Sequence, residues 1–272
     1  MLAAWPPGPV LIAGPCVLES DELNYRVADA LAALGRDLGL AVIYKASFDK
    51  ANRAAADAPR GPGLDAGLAA LGRLRAATPL PVLTDIHEPE QAERAAAIVD
   101  ALQIPAFLCR QTDLLLAAGA TGKPINVKKG QWMAPEAMAG AVVKLRAGGA
   151  MHVAVTERGT FFGYGDLVVD MRNFLRLREA TGAPVLFDAT HAVQRPGLGP
   201  GGQSGGDRRH VPALLFAAAA AGADGFFLET HPTPDSAPSD GATMWPLDRL
   251  GALVERAVDL WYRARDGGTG RD

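Results

Sequence analysis

Short apolar runs alternate along the chain with longer segments in which apolar residues recur at helical spacing. Eight runs rich in Val, Ile, Leu and Phe are candidate strands: VLIAG, AVIYK, PVLTD, IPAFLC, INVKK, HVAVTER, PVLFDAT and GFFLE. Most are separated by segments such as ELNYRVADALAALGRDLG and PEQAERAAAIV. Continuous apolar strands between such helices predict a parallel sheet covered by helices. Eight units in 272 residues predict an α/β protein with one (β/α)8 TIM-barrel domain over residues 1–272. An open doubly wound sheet is the alternative.

One stretch rich in Gly and Pro, RPGLGPGGQSGG at residues 195–206, follows the seventh run. The strand–helix alternation resumes after it, so we interpret it as a loop over the site rather than a domain boundary. Its glycines permit backbone conformations that other residues avoid. We therefore expect residues 195–206 to form a mobile active-site loop.

Composition narrows the class of protein. The formal net charge of −3 gives no bulk attraction to nucleic acid or to an anionic membrane. Two cysteines, Cys16 and Cys109, argue against a disulfide framework and fit a reducing compartment. The first residues lack a basic leader, and the longest apolar stretch, residues 213–223, is about half of what a membrane span needs. We expect a cytoplasmic protein that binds neither nucleic acid nor membrane.

A polar or reactive residue ends each candidate strand. In chain order these are Cys16, Lys45, Asp85, Cys109 with Arg110, Lys128, Glu157 with Arg158, Asp188 with His191, and Glu229. The carboxyl ends of barrel strands meet at one rim, where barrel enzymes build their active sites. We therefore expect these residues to converge.

Four residues are the candidate metal ligands: Cys16, His191 and Glu229 at the ends of runs, and Asp240 just beyond the eighth run. One thiolate, one imidazole and two carboxylates suit a borderline divalent metal such as zinc, iron(II) or manganese. Cys16 alone is more often a buried small hydrophobic residue, and His191 alone is more often structural. Spacing does not identify the site, because the ligands come from different strands, and either Glu229 or the nearby His231 could ligate.

A second group of candidates is cationic: Lys45, Lys50, Arg53, Lys128, Lys129 and Arg158. Arginine forks and lysine ammonium groups bind carboxylates and phosphates. Gathering them costs self-repulsion, so they indicate strongly anionic small-molecule substrates. No glycine-rich nucleotide-binding motif is present. A Schiff-base aldolase using Lys45 or Lys128 and a non-catalytic sugar-phosphate-binding barrel are the alternatives.

Motifs at every predicted strand end resemble one family. GPCVLES, YKASFDKANR, TDIHE, LQIPAFLCRQTDLL, NVKKGQWMAP, TERG, FDATHAVQ and LETHP are similar to those of 3-deoxy-D-manno-octulosonate 8-phosphate synthases, over residues 9–250. The resemblance implies a (β/α)8 barrel, usually a homotetramer, that joins phosphoenolpyruvate to arabinose 5-phosphate in lipopolysaccharide synthesis. A related synthase uses erythrose 4-phosphate. It typically carries Lys-Pro-Arg-Thr where this chain has Lys50, Ala51, Asn52 and Arg53, so we predict a preference for arabinose 5-phosphate.

The resemblance also implies residue roles. The positions that hold phosphoenolpyruvate match Lys45, Lys50, Gln103, Lys128 and Arg158. Asn52 and Arg53 match sugar-phosphate contacts, and Arg110 matches a residue that reaches the site of a neighbouring subunit. Asp85 is counted with the substrate-binding residues, and Lys45, Lys50, Asn52 and His191 are the expected catalytic residues. The metal ligands match Cys16, His191, Glu229 and Asp240, and the metal would be zinc, iron(II), manganese or cobalt.

The chain departs from the family pattern at four positions. Ala54 follows Arg53 where a serine is usual, Gly165 and Asp166 replace two asparagines, and Arg209 replaces an acid. These departures bear on sugar binding and loop structure rather than on the class of reaction. Metal-independent members carry asparagine at the position of Cys16, so the cysteine predicts the metal-dependent type.

Overall fold

The computed structural model describes residues 2–51, 58–162, 165–199 and 204–266. Its barrel strands are β1 Val10–Gly14, β2 Ala41–Lys45, β3 Val82–Asp85, β4 Ala101–Ile104, β5 Ile125–Lys128, β6 Val153–Glu157, β7 Val185–Asp188 and β8 Gly225–His231. The helices that follow them are α1 Asp21–Leu38, α2 Leu64–Ala77, α3 Gln91–Ala96, α4 Thr112–Ala120, α5 Ala139–Ala147, α6 Asn173–Thr181, α7 Val211–Ala220 and α8 Leu250–Asp266. Among the described residues, no helix is long and apolar enough to cross a membrane.

The eight strands form a closed parallel barrel. Each strand pairs with the next in chain order, and β8 pairs back onto β1 with Val10 opposite Gly225 and Gly14 opposite Glu229. Strands β1 and β2 approach closely, because a Cβ added at Gly14 would lie 2.0 Å from the Lys45 carbonyl oxygen. The closure confirms the predicted (β/α)8 fold and is incompatible with an open doubly wound sheet.

The first helix shows how the sequence sets the element boundaries. The Ser20 hydroxyl accepts a hydrogen bond from the Leu23 amide at 3.2 Å, which caps the amino end of α1. Asp21 and Glu22 occupy the first turn, where the helix dipole favours negative charge. Gly39, with φ of 60°, ends the helix in the left-handed conformation that glycine tolerates best.

The prediction of the fourth strand was wrong. Strand β4 is Ala101–Ile104, whereas Ala106–Leu108 in the predicted run forms a 3-10 turn. Pro105 has no N–H to donate, so pairing stops before it. Gln103 interrupts the apolar pattern of β4, so the pattern did not identify residues 101–104 as a strand. Cys109 therefore does not end a strand, and its Sγ lies 3.3 Å from Met133 Sδ, in a buried contact.

Two apolar cores flank the barrel strands, one between the strands and the helices and one inside the barrel. Outward-facing strand residues such as Leu11 and Val127 pack against the helices. The lower barrel layer, inside the barrel, consists of Val10, Ile12, Ile43, Leu83, Ala101, Ala154, Leu186 and Phe227. Leu2 and Trp5 from the amino-terminal segment pack against it. Side chains alternate across a strand, so every barrel strand except β5 supplies residues to both cores.

At the carboxyl end of the barrel, the described residues form three further short strand pairings. Thr160–Phe161 pairs with Leu167–Val168, and Trp245–Pro246 pairs with the end of β8. Gln194–Arg195 pairs antiparallel with Gly205–Gly206, which joins the two ends of the loop predicted at residues 195–206. Residues 200–203 of that loop lie outside the described residues, and its mobility stays a prediction.

Candidate active site

The inward-facing residues become polar toward the carboxyl ends of the strands. This upper barrel layer consists of Lys45, Asp85, Gln103, Asn126, Lys128, Thr156, Asp188 and Glu229, all of them buried. A cavity of about 320 Å³ opens above it, lined also by Lys50, Arg158, His191 and Asp240. The expected convergence of strand ends is therefore present for most of the predicted residues.

Three of the four predicted metal ligands form a compact cluster. One potential ligand atom from each of Cys16, Glu229 and Asp240 lies within 4.8 Å of the other two. The Cys16 thiol donates to Asp240 Oδ2 at 3.1 Å. Glu229 Oε2 is buried without a hydrogen-bond partner among the described residues. His191 lies outside the compact cluster, but its Nε2 is 3.6 Å from Glu229 Oε2.

The imidazole of His191 is held from its other side. Its Nδ1 lies 2.8 Å from Asp188 Oδ2, and its backbone N–H donates to Asp188 Oδ1 at 2.9 Å. Carboxylates commonly orient ligating histidines in this way. His231 is placed differently, because its Nε2 lies 3.1 Å from Glu19 Oε1 and its Nδ1 accepts from the Thr233 amide. Of the two candidates in the eighth strand, Glu229 is the one within the cluster.

Asp240 is fixed in an uncommon backbone conformation. Its φ is 52°, and it is the one non-glycine residue with positive φ in the described part of the chain. This conformation costs roughly 1–2 kcal/mol for an ordinary L-residue and less for Asp. Gln194 Nε2 donates to Oδ1 at 2.8 Å and Ser239 Oγ to Oδ2 at 2.9 Å. These contacts aim the carboxylate at Cys16.

The electrostatics of the cluster fit a divalent cation. Burial, reinforced by the Glu229 carboxylate, raises the pKa of the Cys16 thiol well above its usual range. Burial opposes the charge on Asp240, but His191 and Lys50 outweigh it and lower the pKa of this carboxyl. A thiol, two carboxylates and a neighbouring imidazole match the donors of a borderline metal. The cation would favour the Cys16 thiolate by its own charge.

Lys45 and Lys50 lie between the carboxylates. Lys45 Nζ is 3.1 Å from Glu229 Oε1 and 3.6 Å from Asp85 Oδ1, and it donates to Ser47 Oγ at 3.0 Å. Lys50 Nζ donates to the same hydroxyl at 3.0 Å and is 3.9 Å from Glu229 Oε1. Burial disfavours the charge on Lys50, but Cys16 and Glu229 outweigh it and raise its pKa. Lys50 therefore stays cationic.

Two further cations line the other side of the cavity. Lys128 Nζ lies 2.5 Å from Asp188 Oδ2 and 3.1 Å from the centre of the Phe227 ring. Burial lowers the pKa of Lys128 to about 8, although Asp188 opposes the shift. Arg158 Nη2 donates to Gln194 Oε1 at 2.5 Å, whereas Nη1 is buried without a partner among the described residues. A buried, unpaired guanidinium N–H calls for an anionic oxygen in the cavity.

Asp85 and Gln103 also line the cavity. Gln103 Nε2 donates to Asp85 Oδ1 at 3.1 Å, and Ser47 Oγ donates to Asp85 Oδ2 at 2.6 Å. Burial opposes the charge of Asp85, but Lys45 and Lys50 overcome it and lower the pKa of the carboxyl. Asp85 is therefore an ionised acceptor at neutral pH.

Some predicted residues are not part of this cavity. Lys129 is buried 3.5 Å from Glu157 Oε1, and Glu157 accepts from the backbone amides that follow it. Side-chain alternation turns Glu157 away from the interior, so this pair stabilises the loop after β6. Arg110 is exposed and does not line the cavity. Asn52 and Arg53 lie outside the described residues.

The structure also shows residues that the sequence did not single out. Ser47, Gln194, His87 and Gln131 hold or line the site, and His87 Nδ1 and Gln131 Oε1 are buried without partners among the described residues. All four follow strand ends in the quoted motifs. Neutral polar residues at such positions look like ordinary loop residues, so residue type alone carries no signal.

Known proteins similar to this chain agree with the geometry. A relative from Nitratidesulfovibrio vulgaris (strain DP4) is 55% identical over 251 residues, covering 92% of this chain and 91% of the relative. A relative from Rhodopseudomonas palustris (strain BisB5) is 56% identical over 250 residues, covering 92% and 87%. Both are named 2-dehydro-3-deoxyphosphooctonate aldolase. Because residues 7–260 match the model described as the DAHP synthetase I family, the chain belongs to that family.

Proposed function

We propose that this protein is a 3-deoxy-8-phosphooctulonate synthase, the same enzyme as the 2-dehydro-3-deoxyphosphooctonate aldolase named among its relatives. It joins phosphoenolpyruvate, D-arabinose 5-phosphate and water to give 3-deoxy-D-manno-octulosonate 8-phosphate and inorganic phosphate. One observation carries the proposal: cations line a cavity at the carboxyl end of the barrel together with Glu229 and Asp240, the two carboxylates that cluster with the Cys16 thiol.

The reaction forms one carbon–carbon bond. Carbon 3 of phosphoenolpyruvate attacks the sugar aldehyde, whose oxygen takes up a proton. Water adds at carbon 2, and the bond between carbon 2 and the phosphate oxygen breaks as the new carbonyl forms. One proton of the water balances the proton taken up by the aldehyde oxygen, and the other leaves on the phosphate. Phosphate leaves with that oxygen, so atoms and charge balance without an oxidant or reductant.

The residues of the cavity first overcome the repulsion between two anions. Arg158 Nη1 has an N–H to offer an anionic oxygen, and Lys50 and Lys128 supply charge nearby. An anion bound beside Lys128 would favour its protonated form. Alignment of two reactants can lower the barrel enzyme's activation free energy by several kcal/mol, within the roughly 7–11 kcal/mol that ideal orientation supplies.

We propose Cys16, His191, Glu229 and Asp240 as ligands of a divalent cation. The orphaned Glu229 Oε2 and the nearby His191 Nε2 support this set. The bound metal would supply a Lewis acid that polarises the aldehyde or orients water, and zinc, iron(II), manganese and cobalt are the candidates. Asp188 holds His191 in place from Nδ1.

Further assignments complete the proposal. Asn52 and Arg53 bind the sugar phosphate, and the loop at residues 195–206 closes over the bound substrates. Arg110 reaches a neighbouring subunit's site in a homotetramer, which its exposure outside its own cavity supports. The protein acts in the cytoplasm.

A phosphate-release assay tests the reaction. Release should require both substrates, and mass spectrometry should find the eight-carbon product. The matched control replaces arabinose 5-phosphate with erythrose 4-phosphate. Comparable or higher kcat/KM with the four-carbon sugar would contradict the proposed substrate.

A Schiff-base aldolase is the second candidate that a specific observation favours. Burial lowers the pKa of Lys128 to about 8, and a free amine is the form that attacks a carbonyl. The names of the relatives do not favour this alternative over the synthase. Borohydride should therefore trap no substrate on the wild type or on Lys128→Met. A lysine adduct on the wild type alone would support the Schiff-base mechanism.

A further inference from the structure

A chain of hydrogen bonds crosses the upper barrel layer from β6 to β3. Thr156 Oγ1 donates to Asn126 Oδ1 at 2.6 Å, and Asn126 Nδ2 donates to Gln103 Oε1 at 2.8 Å. Gln103 Nε2 then donates to Asp85 Oδ1 at 3.1 Å. Asn126 and Thr156 are fully buried and do not line the cavity, whereas Gln103 and Asp85 do.

The charge at one end sets the direction of every donor in the chain. An ionised carboxylate only accepts hydrogen bonds, so Gln103 must turn its nitrogen toward Asp85 and its oxygen toward Asn126. Asn126 must then donate to Gln103 and accept from Thr156. Each amide thus has one orientation that satisfies both of its neighbours.

The orientation of Gln103 matters because its amide nitrogen has two N–H bonds. Among the described residues, Asp85 is the one acceptor that Gln103 Nε2 reaches. The second N–H is left for a molecule in the cavity. An amide turned the other way would present its oxygen, which repels the oxygens of an anionic substrate.

We propose that Asn126 and Thr156 are positioning residues that fix the Gln103 amide with its nitrogen available to an oxygen of phosphoenolpyruvate. The inference rests on the proposed function. Inward-facing residues of the flanking strands β4 and β6, Ala101 and Ala154, are apolar, so an interior position of this barrel does not by itself demand a polar group. The linked polar groups specify an orientation instead.

Asn126→Asp tests the proposal with a change of almost no volume. Two carboxylates would then flank Gln103, and in either orientation its oxygen would face one of them. The KM for phosphoenolpyruvate should rise by about tenfold or more at pH 8, with a smaller change in kcat. The hydrogen-bonding neighbours of Asn126 are neutral, and Lys128 is the charged residue of the upper layer on the same strand. Protonation of the new carboxyl at lower pH restores a donor, so the KM ratio to wild type should shrink as pH falls.

Threonine variants keep the test decisive if Asn126→Asp does not fold. Thr156→Val removes the terminal donor and should raise the same KM by about threefold or more, whereas Thr156→Ser should restore it. Thr84→Val is the matched control, because Thr84 is a buried strand residue whose hydroxyl donates to the Ala46 carbonyl at 2.8 Å. It should lower the Tm without changing KM.

The outcomes separate this inference from the proposed function. A wild type that fails to condense the two substrates would overturn the function itself. An active wild type, with Thr156→Val and Asn126→Asp showing the same KM as Thr84→Val at every pH, would overturn the positioning role alone. It would mean that the polar chain only stabilises the fold.

Discussion

Six of the eight barrel strands, all except β1 and β5, contribute to both the lower and the upper barrel layer, and the two layers have opposite chemistry. Ile43 and Lys45 are two residues apart on β2, and Phe227 and Glu229 are two apart on β8. The first of each pair belongs to the apolar lower layer, and the second is a charged group of the upper layer. A distance of two residues along a strand therefore separates an apolar core residue from a charged residue of the site.

The two barrel layers make different contributions, the lower one to stability and the upper one to the candidate site. The lower layer is apolar and does not line the cavity above the upper layer, so its residues contribute to the free energy of unfolding. The upper layer holds ionised groups away from water, which costs desolvation energy that mutual pairing only partly offsets. Such an arrangement is typical of a site kept for ligands rather than for stability.

The largest expected effect is on the upper side of this comparison. Arg158→Ala should lower kcat/KM by a factor equivalent to about 2–5 kcal/mol of transition-state stabilisation. The reason is that the change removes a buried cation that binds a substrate anion. Arg158→Lys should not rescue activity, since one ammonium cannot both bond Gln194 and replace the free Nη1. Steady-state kinetics with each substrate varied would measure the loss. A loss below threefold would mean that no substrate anion reaches this guanidinium.

The matched change in the lower layer should act on stability alone. Ile43→Ala removes a buried side chain and should lower the free energy of unfolding by about 2–5 kcal/mol. Denaturant unfolding would measure it, and kcat/KM well below the Tm should stay within about twofold of wild type. A large kinetic defect in the folded variant would show that the two layers are coupled.

Lys128 of the upper layer lies over the Phe227 ring of the lower layer, and its protonation should make the stability of the protein depend on pH. Its pKa is lowered by burial to about 8 in the folded protein, against an ordinary value of 10.5. Between these values the unfolded chain holds the proton and the folded chain does not, so stability rises with pH across this window. Relative to Lys128→Met, the wild type should gain on the order of 1–3 kcal/mol of unfolding free energy from pH 8 to 10. A constant difference between the two proteins would contradict the shift.

The smallest expected effect lies at the rim. Arg195 Nε is 2.8 Å from Asp166 Oδ1, and both side chains are nearly half exposed. An exposed pair contributes about 0–1 kcal/mol, so Asp166→Asn should change the Tm little. The variant is more useful as a probe of the loop at residues 195–206. Proteolysis there should slow when both substrates are bound, in wild type and variant alike, and equal cleavage with and without substrates would argue against closure.

The sequence predicted the barrel because seven of its eight strands coincide with short, mainly apolar runs. It misplaced the fourth because Gln103, a site residue, breaks the apolar pattern of β4. Glu157 and Lys129 do lie at or just after strand ends, as predicted, but their side chains do not line the cavity. Side chains alternate along a strand, and a run of letters does not say which face is inside.

The candidate site was predictable in type but not in geometry. The metal-preferring residues and most cations could be named from their places after strands. The choice between Glu229 and His231 depends on the contact that Glu19 makes with His231, and the position of His191 beside the cluster depends on Asp188. Such pairings arise from packing between distant segments, so no local pattern contains them.

A cobalt(II) titration of the metal-free protein tests directly whether Cys16 binds a divalent cation together with Asp240 and with Glu229 of the upper barrel layer. Ligation must displace the proton of a thiol whose pKa is raised by burial, so binding should release a proton and give a thiolate-to-cobalt absorption band. The band should saturate at one equivalent in the wild type and be absent in Cys16→Ala and Cys16→Asn. The asparagine variant should also keep more chelator-resistant activity than the alanine variant. Wild-type protein that shows no thiolate band and keeps full activity after exhaustive chelation would contradict the account.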